Sequence, residues 1–404
     1  MKFRSALYSM AIVSLFSSCY VARAYKYRDL ALTDIHKMPS VIIQKRDKTD
    51  PFINGTSAPG HKQLSTTLDT LLAGSYTATF LVIRNDSVIY EKYFDEFNEE
   101  SLLPSFSIAK SFVGSLTGIA VHDGLLSLND PVTKYIPVLK KKDARFEKIS
   151  IQHLLDMRSG ILFKEGSYNL KDDAIKLGFR PNSEKQIRKL KIEGPSGGAF
   201  NYQSINTFLL AITLERVTGK SLSAYLSEKI WKPAGMEYNA TWTVDSKKNL
   251  QEIGFAGINA TARDFARLGR LYLKNGMANG RQILPENWVE NTVQKDTMQK
   301  YSGYKNQVWG VSRYTTFTDS LQAVQYNLDH NIEGRRIYTY TDNNKKKGFY
   351  ITYSSPEFYA QGILGEFVYV NPEKNLILVR LGHHWKNKKF SDPINFLKAL
   401  SLEL

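Results

Sequence analysis

A serine and a lysine three residues apart form the pattern Ser-x-x-Lys, which occurs twice, at Ser107–Lys110 and Ser302–Lys305. The second copy lies in a polar, glycine-bearing stretch without a helical pattern behind it, which favours a coincidental loop. The first copy precedes the helical run 111–116, and residues i and i+3 share one face of a helix. The Lys110 amine can therefore lie beside the Ser107 hydroxyl, near the N–H groups and positive dipole end of the first turn. These are the requirements of an activated nucleophile, although a solvated helix start is the simpler interpretation of the tetrapeptide alone.

Other patterns that carry chemistry are absent or incomplete. The seven histidines form no His-Glu-x-x-His pair, and the adjacent His383 and His384 would point to opposite faces of a strand. Segment 219–221 (Gly-Lys-Ser) resembles the end of a phosphate-binding loop, but Leu214 stands where the first glycine is required, which favours a helix C-cap. We therefore expect no metal site and no cofactor.

The composition describes a globular chain with a strongly basic balance. The 404 residues are 42% hydrophobic and 23% charged, which excludes a disordered chain and favours one large domain or two. The formal net charge of +15 suggests nucleic acid or an anionic membrane, but the sequence holds no nucleic-acid-binding module and no single basic tract. We therefore expect no nucleic-acid partner. The single cysteine, Cys19, excludes an internal disulfide and a cysteine-based metal site.

The first residues have the pattern of an export signal. Two basic residues precede the apolar run 6–16, which is too short for a membrane-spanning helix. Small residues directly before Cys19 resemble a bacterial lipoprotein cleavage site. We therefore predict a signal peptide over 1–18, a lipid anchor on Cys19, and a location in the periplasm or cell envelope. The alternative is cleavage after Ala24, which leaves an exported protein without the lipid.

Residues 19–62 are polar and weakly periodic, which predicts a tether or strap leading to a folded body at 63–404. Hydrophobic periodicity predicts strands over 77–83, 87–94, 348–353, 362–370 and 376–381, and helices over 107–122, 204–218 and 260–275. Strands near both ends with helices between them predict an α/β (α+β) fold. Its sheet is expected from 63–115 and 256–404, and its helical part from 116–255.

Around Ser107 and Lys110 the sequence resembles the serine β-lactamase and penicillin-binding protein superfamily, most of all its class C β-lactamase and esterase branch. The resemblance runs in order from about residue 75 to 382. Its further landmarks are Gly118–Val132 (GIAVHDGLLSLNDPV), Leu154–Ile161 (LLDMRSGI), Phe200–Asn206 (FNYQSIN), Trp231–Met236 (WKPAGM) and Thr261–Gly269 (TARDFARLG). The resemblance implies a β-lactamase-like fold, with an antiparallel sheet flanked by helices and a mainly helical inserted domain.

By this resemblance Ser107 is the nucleophile that becomes acylated, and Lys110 removes its proton or holds the proton network together. Tyr202 matches the tyrosine of the branch's Tyr-x-Ser motif, which shares the role of general base and protonates the leaving group, and Ser204 completes that motif. The triplet occurs twice elsewhere in the chain. Order along the sequence therefore favours Tyr202, and the alternative is a core aromatic at a helix entry.

The third motif of the branch, Lys-Thr-Gly, is replaced here by Ala360, Gln361 and Gly362. The retained Gly362 lets the backbone approach the substrate closely. The resemblance places the oxyanion hole at the backbone N–H groups of Ser107 and Ile363. Gln361 is expected either to donate to a substrate carbonyl or to fill space.

Loss of that lysine argues against a true β-lactamase or D-Ala-D-Ala peptidase, in which the cation helps to bind the substrate carboxylate. Such variants resemble esterases and amide hydrolases similar to 6-aminohexanoate-dimer hydrolase. The sequence therefore predicts an exported serine hydrolase for a small ester, amide or peptide substrate, with Tyr168 helping to line the pocket. The alternatives are a true peptidase or β-lactamase, and a non-catalytic penicillin-binding-type protein that recognises cell-wall peptide or β-lactam.

Overall fold

The computed structural model describes residues 23, 32–55, 60–167, 169–293, 303–329, 337–341 and 345–404. In this part of the chain the strands are β1 (Ser40–Ile43), β2 (Ile53–Asn54), β3 (Thr77–Arg84), β4 (Ser87–Tyr93), β5 (Leu103–Pro104), β6 (Ala240–Thr243), β7 (Ile258–Ala260), β8 (Met277–Ala278), β9 (Arg281–Gln282), β10 (Tyr304–Lys305), β11 (Val308–Phe317), β12 (Ile337–Thr341), β13 (Lys347–Gly362), β14 (Glu366–Asn371) and β15 (Leu376–Gly382). The α-helices are α1 (His61–Leu72), α2 (Ala109–His122), α3 (Val132–Tyr135), α4 (Pro137–Lys142), α5 (Ile151–Leu155), α6 (Asp173–Phe179), α7 (Glu184–Ile187), α8 (Ser204–Thr218), α9 (Leu222–Leu226), α10 (Ala262–Leu273), α11 (Glu286–Val293), α12 (Ser320–Asp329) and α13 (Pro393–Glu403). None of these helices is both long and apolar enough to span a bilayer.

The main sheet has nine strands and is assembled from both ends of the described chain. Its order is β10-β11-β13-β14-β15-β3-β4-β2, with β12 added beside β13. The junction of the two ends is the antiparallel pair β3 and β15, in which Phe80 lies opposite Arg380. The pairings are antiparallel except for the short parallel contact between β2 and β4. This architecture confirms the β-lactamase-like fold class expected from the sequence.

Helices cover both faces of the main sheet, which explains the almost continuous apolar run of β3. Successive side chains of a strand point to opposite faces. Phe80 and Val82 pack in one core cluster with residues of α1 and α13, whereas Leu81 and Ile83 belong to the larger cluster that includes α2, α8 and α10. Full burial of a side chain of this size contributes about 1.5–3 kcal/mol, so one strand stabilises both layers.

A second sheet, in the order β1-β6-β7-β5, joins the N-terminal strap to the segment before Ser107. Each of the four residues of β1 pairs with a residue of β6, and β5 pairs with β7. Leu32 and Ile43 of the strap are completely buried. The described part of the strap is therefore integrated into the folded body.

Two buried helices, α2 and α8, pack against each other and carry the Ser-x-x-Lys and Tyr-x-Ser regions. Every residue from Ala109 to Ala120 and from Ser204 to Leu214 is buried. A helix that is apolar on all sides belongs in a protein core. The bounds of α8 match the predicted helix, which ends where Gly219 adopts a left-handed backbone with φ of 65°.

The helix predicted to begin at Ser107 begins two residues later, at Ala109. A 3-10 turn, Phe106–Ile108, comes first, and Phe106 has a left-handed φ of 40°. A left-handed conformation at a residue other than glycine costs about 1–3 kcal/mol and persists only where the surrounding structure enforces it. Ser107 therefore lies on a strained turn directly before a core helix.

The strand predicted over 362–370 is interrupted near its start. β13 ends at Gly362, the turn Ile363–Gly365 follows, and β14 begins at Glu366. Leu364 has a left-handed φ of 65° in this turn, which a continuous strand does not allow. The apolar pattern resembles that of one strand because residues on both sides of the turn are buried in the same sheet.

Candidate active site

Ser107 and Lys110 are in direct contact at the start of α2. The Nζ atom of Lys110 donates a hydrogen bond to Ser107 Oγ over 2.8 Å and a second to the carbonyl oxygen of Phe255 over 3.0 Å. Only 1% of Lys110 is exposed, and this burial lowers the pKa of its amine to about 8. An appreciable fraction of Lys110 is therefore uncharged near neutral pH and able to accept a proton.

Tyr202 lies next to this pair, directly before α8. Its ring centre is 5.1 Å from Lys110 Nζ, a distance at which a cation is attracted to the face of an aromatic ring. The Trp309 ring stacks on the Tyr202 ring, with 5.4 Å between the ring centres and an angle of 26° between the planes. The Tyr304 ring contacts the Tyr202 ring edge-on, with the centres 5.8 Å apart. The structure therefore brings together Ser107, Lys110 and Tyr202 and fixes the tyrosine ring by aromatic packing.

Ser204 is the first residue of α8, and Glu165 caps that helix. The N–H and Oγ–H of Ser204 donate to the two carboxylate oxygens of Glu165, over 2.5 and 2.6 Å. A carboxylate at a helix N-terminus is stabilised by the helix dipole. Glu165 also acts at a distance on Lys110, because its negative charge raises the pKa of that amine and opposes the effect of burial. Sequence reasoning missed Glu165, since no local pattern connects it to a helix 39 residues further on.

Gly362 fills a position where a side chain does not fit. A Cβ atom on Gly362 would lie 2.8 Å from the carbonyl oxygen of Ser105 and 3.0 Å from Oε2 of Glu366. The next residue, Ile363, lines the same cavity as Ser107. The end of β13 thus lies close to the turn Phe106–Ile108, which carries Ser107, and both backbone segments border the same cavity.

A buried arginine, Arg380, supports this turn and lies near a buried acid, Glu366. Arg380 donates to the carbonyl oxygens of Leu364 and Gly365 over 2.9 and 2.6 Å, while both carboxylate oxygens of the buried Glu366 lack a partner among the described residues. Burial raises the pKa of Glu366 well above its usual range, and the positive charge of Arg380 only partly opposes this. The turn that contains Ile363 is therefore held by the Arg380 guanidinium and lies beside an acid that favours its neutral form.

A buried amide connects α2 and α8 behind the site. The carbonyl oxygen of Gln307 accepts from Ser111 Oγ over 2.7 Å, and its side-chain oxygen accepts from Thr207 Oγ1 over 2.6 Å. Its side-chain nitrogen donates to the carbonyl oxygens of Leu154 and Leu155. A satisfied buried network of this kind fixes the relative position of the two helices. No motif in the sequence marks Gln307.

Ser107 and Tyr202 line a cavity of about 320 Å³. Apolar side chains line much of it, among them Ile175, Phe179 and Phe255. Its charged lining residues are Asp34, Glu165 and Asp172, and the described lining includes neither lysine nor arginine. The cavity therefore suits an apolar substrate group and offers no cation on its wall to a substrate carboxylate.

The remaining predicted site residues lie elsewhere. Gln361 is exposed and is not among the residues that line the cavity, and Ala360 beside it is buried. Tyr168 and Cys19 lie outside the described residues. Across the described ranges, no group of three or more His, Cys, Asp or Glu side chains is arranged to hold a metal ion.

The Beta-lactamase family matches residues 64–402, so the chain belongs to that family. The chain is 29% identical over 269 residues to 6-aminohexanoate-dimer hydrolase of Paenarthrobacter ureafaciens, an alignment that covers 63% of this chain and 67% of that protein. It is 26% identical over 191 residues to Protein flp of Staphylococcus aureus (strain COL), covering 44% of this chain and only 37% of that protein.

Solved structures agree on the fold. The "Putative 6-aminohexanoate-dimer hydrolase from Bacillus anthracis" superposes with a TM-score of 0.70 at 23% identity, over 93% of this chain and 94% of that chain. EstCE1, described as a hydrolase with promiscuous acyltransferase activity, superposes with a TM-score of 0.56 at 15% identity, over 80% and 93%. The fold and the family thus define a β-lactamase-like hydrolase.

Proposed function

We propose that this protein is a serine hydrolase that cleaves an ester or amide bond through an acyl-enzyme on Ser107. The observation that carries the proposal is the 2.8 Å hydrogen bond between Lys110 Nζ and Ser107 Oγ, formed by a buried amine whose pKa is lowered to about 8. A weak nucleophile needs such a neighbouring base. The family relationship to proteins named as hydrolases supports the same chemistry.

Acylation follows from this geometry. The uncharged amine of Lys110 takes the proton of Ser107 Oγ while Oγ bonds to the substrate carbonyl carbon. The carbonyl oxygen becomes an oxyanion, which we assign to the backbone N–H groups of Ser107 and Ile363. The carbon–oxygen or carbon–nitrogen bond then breaks, and the leaving group receives a proton from the network that Lys110 and Tyr202 form. Water then gives a proton to the same network as it attacks the acyl carbon. The bond between that carbon and Ser107 Oγ breaks, Oγ takes the proton back, and the acid is released.

The cavity favours an esterase or amidase over a β-lactamase or D-Ala-D-Ala peptidase. Ala360 stands at the lysine position of the Lys-Thr-Gly motif, and the described cavity lining contributes no basic side chain in its place. A substrate that depends on a carboxylate contact would therefore bind poorly. The contact between Ser107, Lys110 and Tyr202 argues against the non-catalytic alternative, because a protein that only binds does not require a base beside a serine.

The test is hydrolysis of p-nitrophenyl acetate by the purified protein, combined with intact-mass detection of an acyl group. Ser107→Ala should abolish both turnover and the acyl adduct. The second Ser-x-x-Lys copy provides a matched control, because Ser302→Ala removes a serine from the same tetrapeptide pattern. Equal turnover by the wild-type protein and Ser107→Ala would refute the proposal, as would an adduct on another residue.

We further propose that the protein is exported and anchored by a lipid on Cys19. The support is the sequence pattern of the first residues. Cys19→Ala should prevent labelling by a fatty-acid analogue in cells and release the protein from membranes. Unchanged membrane association of the variant would contradict the anchor, and a mature N-terminus after Ala24 would favour the soluble exported form.

A further inference from the structure

The N-terminal strap supplies part of the wall of the catalytic cavity. Asp34, Ile35 and Met38 of the strap line the cavity together with Ser107. Ile35 and Met38 are partly exposed, as expected of side chains that border an open space. A segment far from the catalytic motifs in sequence therefore borders the space in which the substrate reacts.

The strap is held in a fixed position relative to the nucleophile. Its 3-10 turn, Leu32–Lys37, packs against β5, and β5 ends only three residues before Ser107. The fully buried Leu32 anchors this turn at one end. At the other end β1 pairs with β6, which connects through β7 back to β5. The strap and the strand that leads into the Phe106–Ile108 turn thus belong to one sheet, which fixes the strap relative to Ser107.

We propose that Ile35 and Met38 determine substrate specificity: they bound the space available to the apolar part of an ester or amide substrate and so set the chain length that is accepted. This inference rests on the function proposed above. The cavity volume of about 320 Å³ is at the lower end of the range of about 300–1,000 Å³ found for small-molecule sites. The preferred substrate is therefore an uncharged ester or amide with a short to medium apolar chain.

The chemistry of the surrounding wall agrees with this substrate class. Ile175 and Phe179, both from α6, line the cavity as well, so apolar contact is available from a second element. Asp34 forms an ion pair with Lys37 of the same turn, and the side chain of Lys37 is 49% exposed. The positive charge therefore lies toward solvent, and the described residues of the strap add no cation to the cavity wall that would attract an anionic chain.

The test measures kcat/KM for two ester series: p-nitrophenyl acetate, butyrate and octanoate, which vary the acyl chain, and methyl, butyl and octyl acetate, which vary the leaving group. Ile35→Trp and Met38→Trp fill the space, and Ile35→Ala and Met38→Ala enlarge it. The matched controls are Ile42→Trp and Ile42→Ala, because Ile42 belongs to the same strap and is 62% exposed.

In the tryptophan variants, kcat/KM should fall by about 10-fold or more for the longest substrate of at least one series, p-nitrophenyl octanoate or octyl acetate. For the shortest substrate of that series, kcat/KM should stay within about 2-fold of the wild-type value. The reason is that one methylene in an apolar pocket changes kcat/KM by about 10-fold or more. The alanine variants should shift the preferred chain toward longer members. The Ile42 variants should keep the wild-type profile.

Folding is checked for every variant by thermal melting, and if a tryptophan variant does not fold, the corresponding alanine variant decides. Folded variants with an unchanged profile in both series would overturn the inference. This result differs from failure of the proposed function, in which the wild-type protein itself shows no Ser107-dependent hydrolysis of p-nitrophenyl acetate.

Discussion

The Nζ atom of Lys110 lies 5.1 Å from the centre of the Tyr202 ring, so the two proposed proton carriers are neighbours although Lys110 belongs to α2 and Tyr202 precedes α8. A cation over an aromatic face is stabilised by about 0.5–2 kcal/mol, which offsets part of the cost of burying the Lys110 charge. The ring of Tyr202 and its hydroxyl group can therefore be tested separately, since the ring contacts the amine and the hydroxyl is the group that we propose transfers a proton.

Tyr202→Phe should retain the fold and lose most of the activity. The phenylalanine ring preserves the contact with Lys110 and the stacking on Trp309, but it has no exchangeable proton. We expect kcat to fall by about 100- to 10,000-fold, the usual contribution of a positioned acid or base. The control is Tyr225→Phe, which alters another Tyr-x-Ser triplet at a buried hydroxyl without a partner among the described residues. Wild-type kcat in Tyr202→Phe would exclude the hydroxyl from catalysis.

The activity should increase with pH through the pKa of Lys110. Burial lowers that pKa to about 8, so the uncharged amine that accepts the Ser107 proton becomes the major form above about pH 8. We therefore expect kcat/KM for a neutral ester to rise from about pH 6 and to level off near pH 9. Lys110→Arg should be inactive throughout, because an arginine stays charged. A flat profile, or an active arginine variant, would contradict the assignment of Lys110 as the base.

Glu165→Gln should move this pH profile to lower pH. The negative charge of Glu165 stabilises the charged amine and raises the pKa of Lys110, so its removal lowers that pKa. The glutamine side chain preserves one oxygen that can accept from Ser204 at the start of α8. Glu228→Gln, which alters an exposed carboxylate paired with Lys220, is the charge-matched control and should leave the profile unchanged. A shift to higher pH in Glu165→Gln would refute the electrostatic argument.

Gly362→Ala should impair catalysis more than stability. The added methyl group would lie 2.8 Å from the Ser105 carbonyl oxygen, so β13 has to move away from the nucleophile turn. Loss of one oxyanion donor lowers kcat by about 100- to 1,000-fold, and we expect a reduction of that order. The control is Gly194→Ala, because a Cβ there meets its nearest neighbour at 3.9 Å. Equal kcat in both variants would show that Gly362 is not needed for close approach.

Glu366→Gln should stabilise the protein at neutral pH and have little effect in acid. The folded-state pKa of Glu366 is raised above 4.5, so its contribution to stability is complete below about pH 4.5 and is lost as pH rises toward the folded-state value. Glutamine does not ionise and avoids this loss. Thermal melting should give a higher Tm for the variant at pH 7 and nearly equal values at pH 4. Glu373→Gln, at an exposed position, should show no such difference, and a lower Tm for Glu366→Gln at pH 7 would contradict the prediction.

Local sequence patterns predicted the elements that carry the catalytic motifs, because those elements depend mainly on neighbours in the chain. The helix Ser204–Thr218 has its predicted bounds, since an apolar run before a glycine defines both its packing and its end. The strands of the β3 and β4 hairpin also match the predicted runs 77–83 and 87–94, and Asn85 and Asp86 adopt left-handed backbones in the turn between them. Ser107 and Lys110 were predicted to be adjacent because a helical spacing of three residues dictates it.

The rest of the site depends on contacts between residues that are distant in sequence. Glu165, Gln307 and Arg380 form hydrogen bonds to elements that are distant in the sequence, and no spacing within the sequence encodes such partners. The turn after Gly362 was missed because both of its flanks are buried in one sheet and share an apolar pattern. The contribution of the strap to the cavity was not predicted for a related reason: its polar composition predicts a tether or strap, and the burial of a few apolar residues such as Leu32 depends on contacts distant in the sequence.

The pairing of β3 with β15 has a consequence for synthesis of the protein. Ser107 emerges from the ribosome long before Ile363, and β15, which joins the sheet to β3, emerges later still. A chain interrupted before these residues contains the reactive serine and lysine but lacks the backbone segment expected to complete the oxyanion site. On the proposed mechanism, an incomplete chain therefore lacks the Ile363 N–H donor, and the site is assembled only after the last strands have joined the sheet.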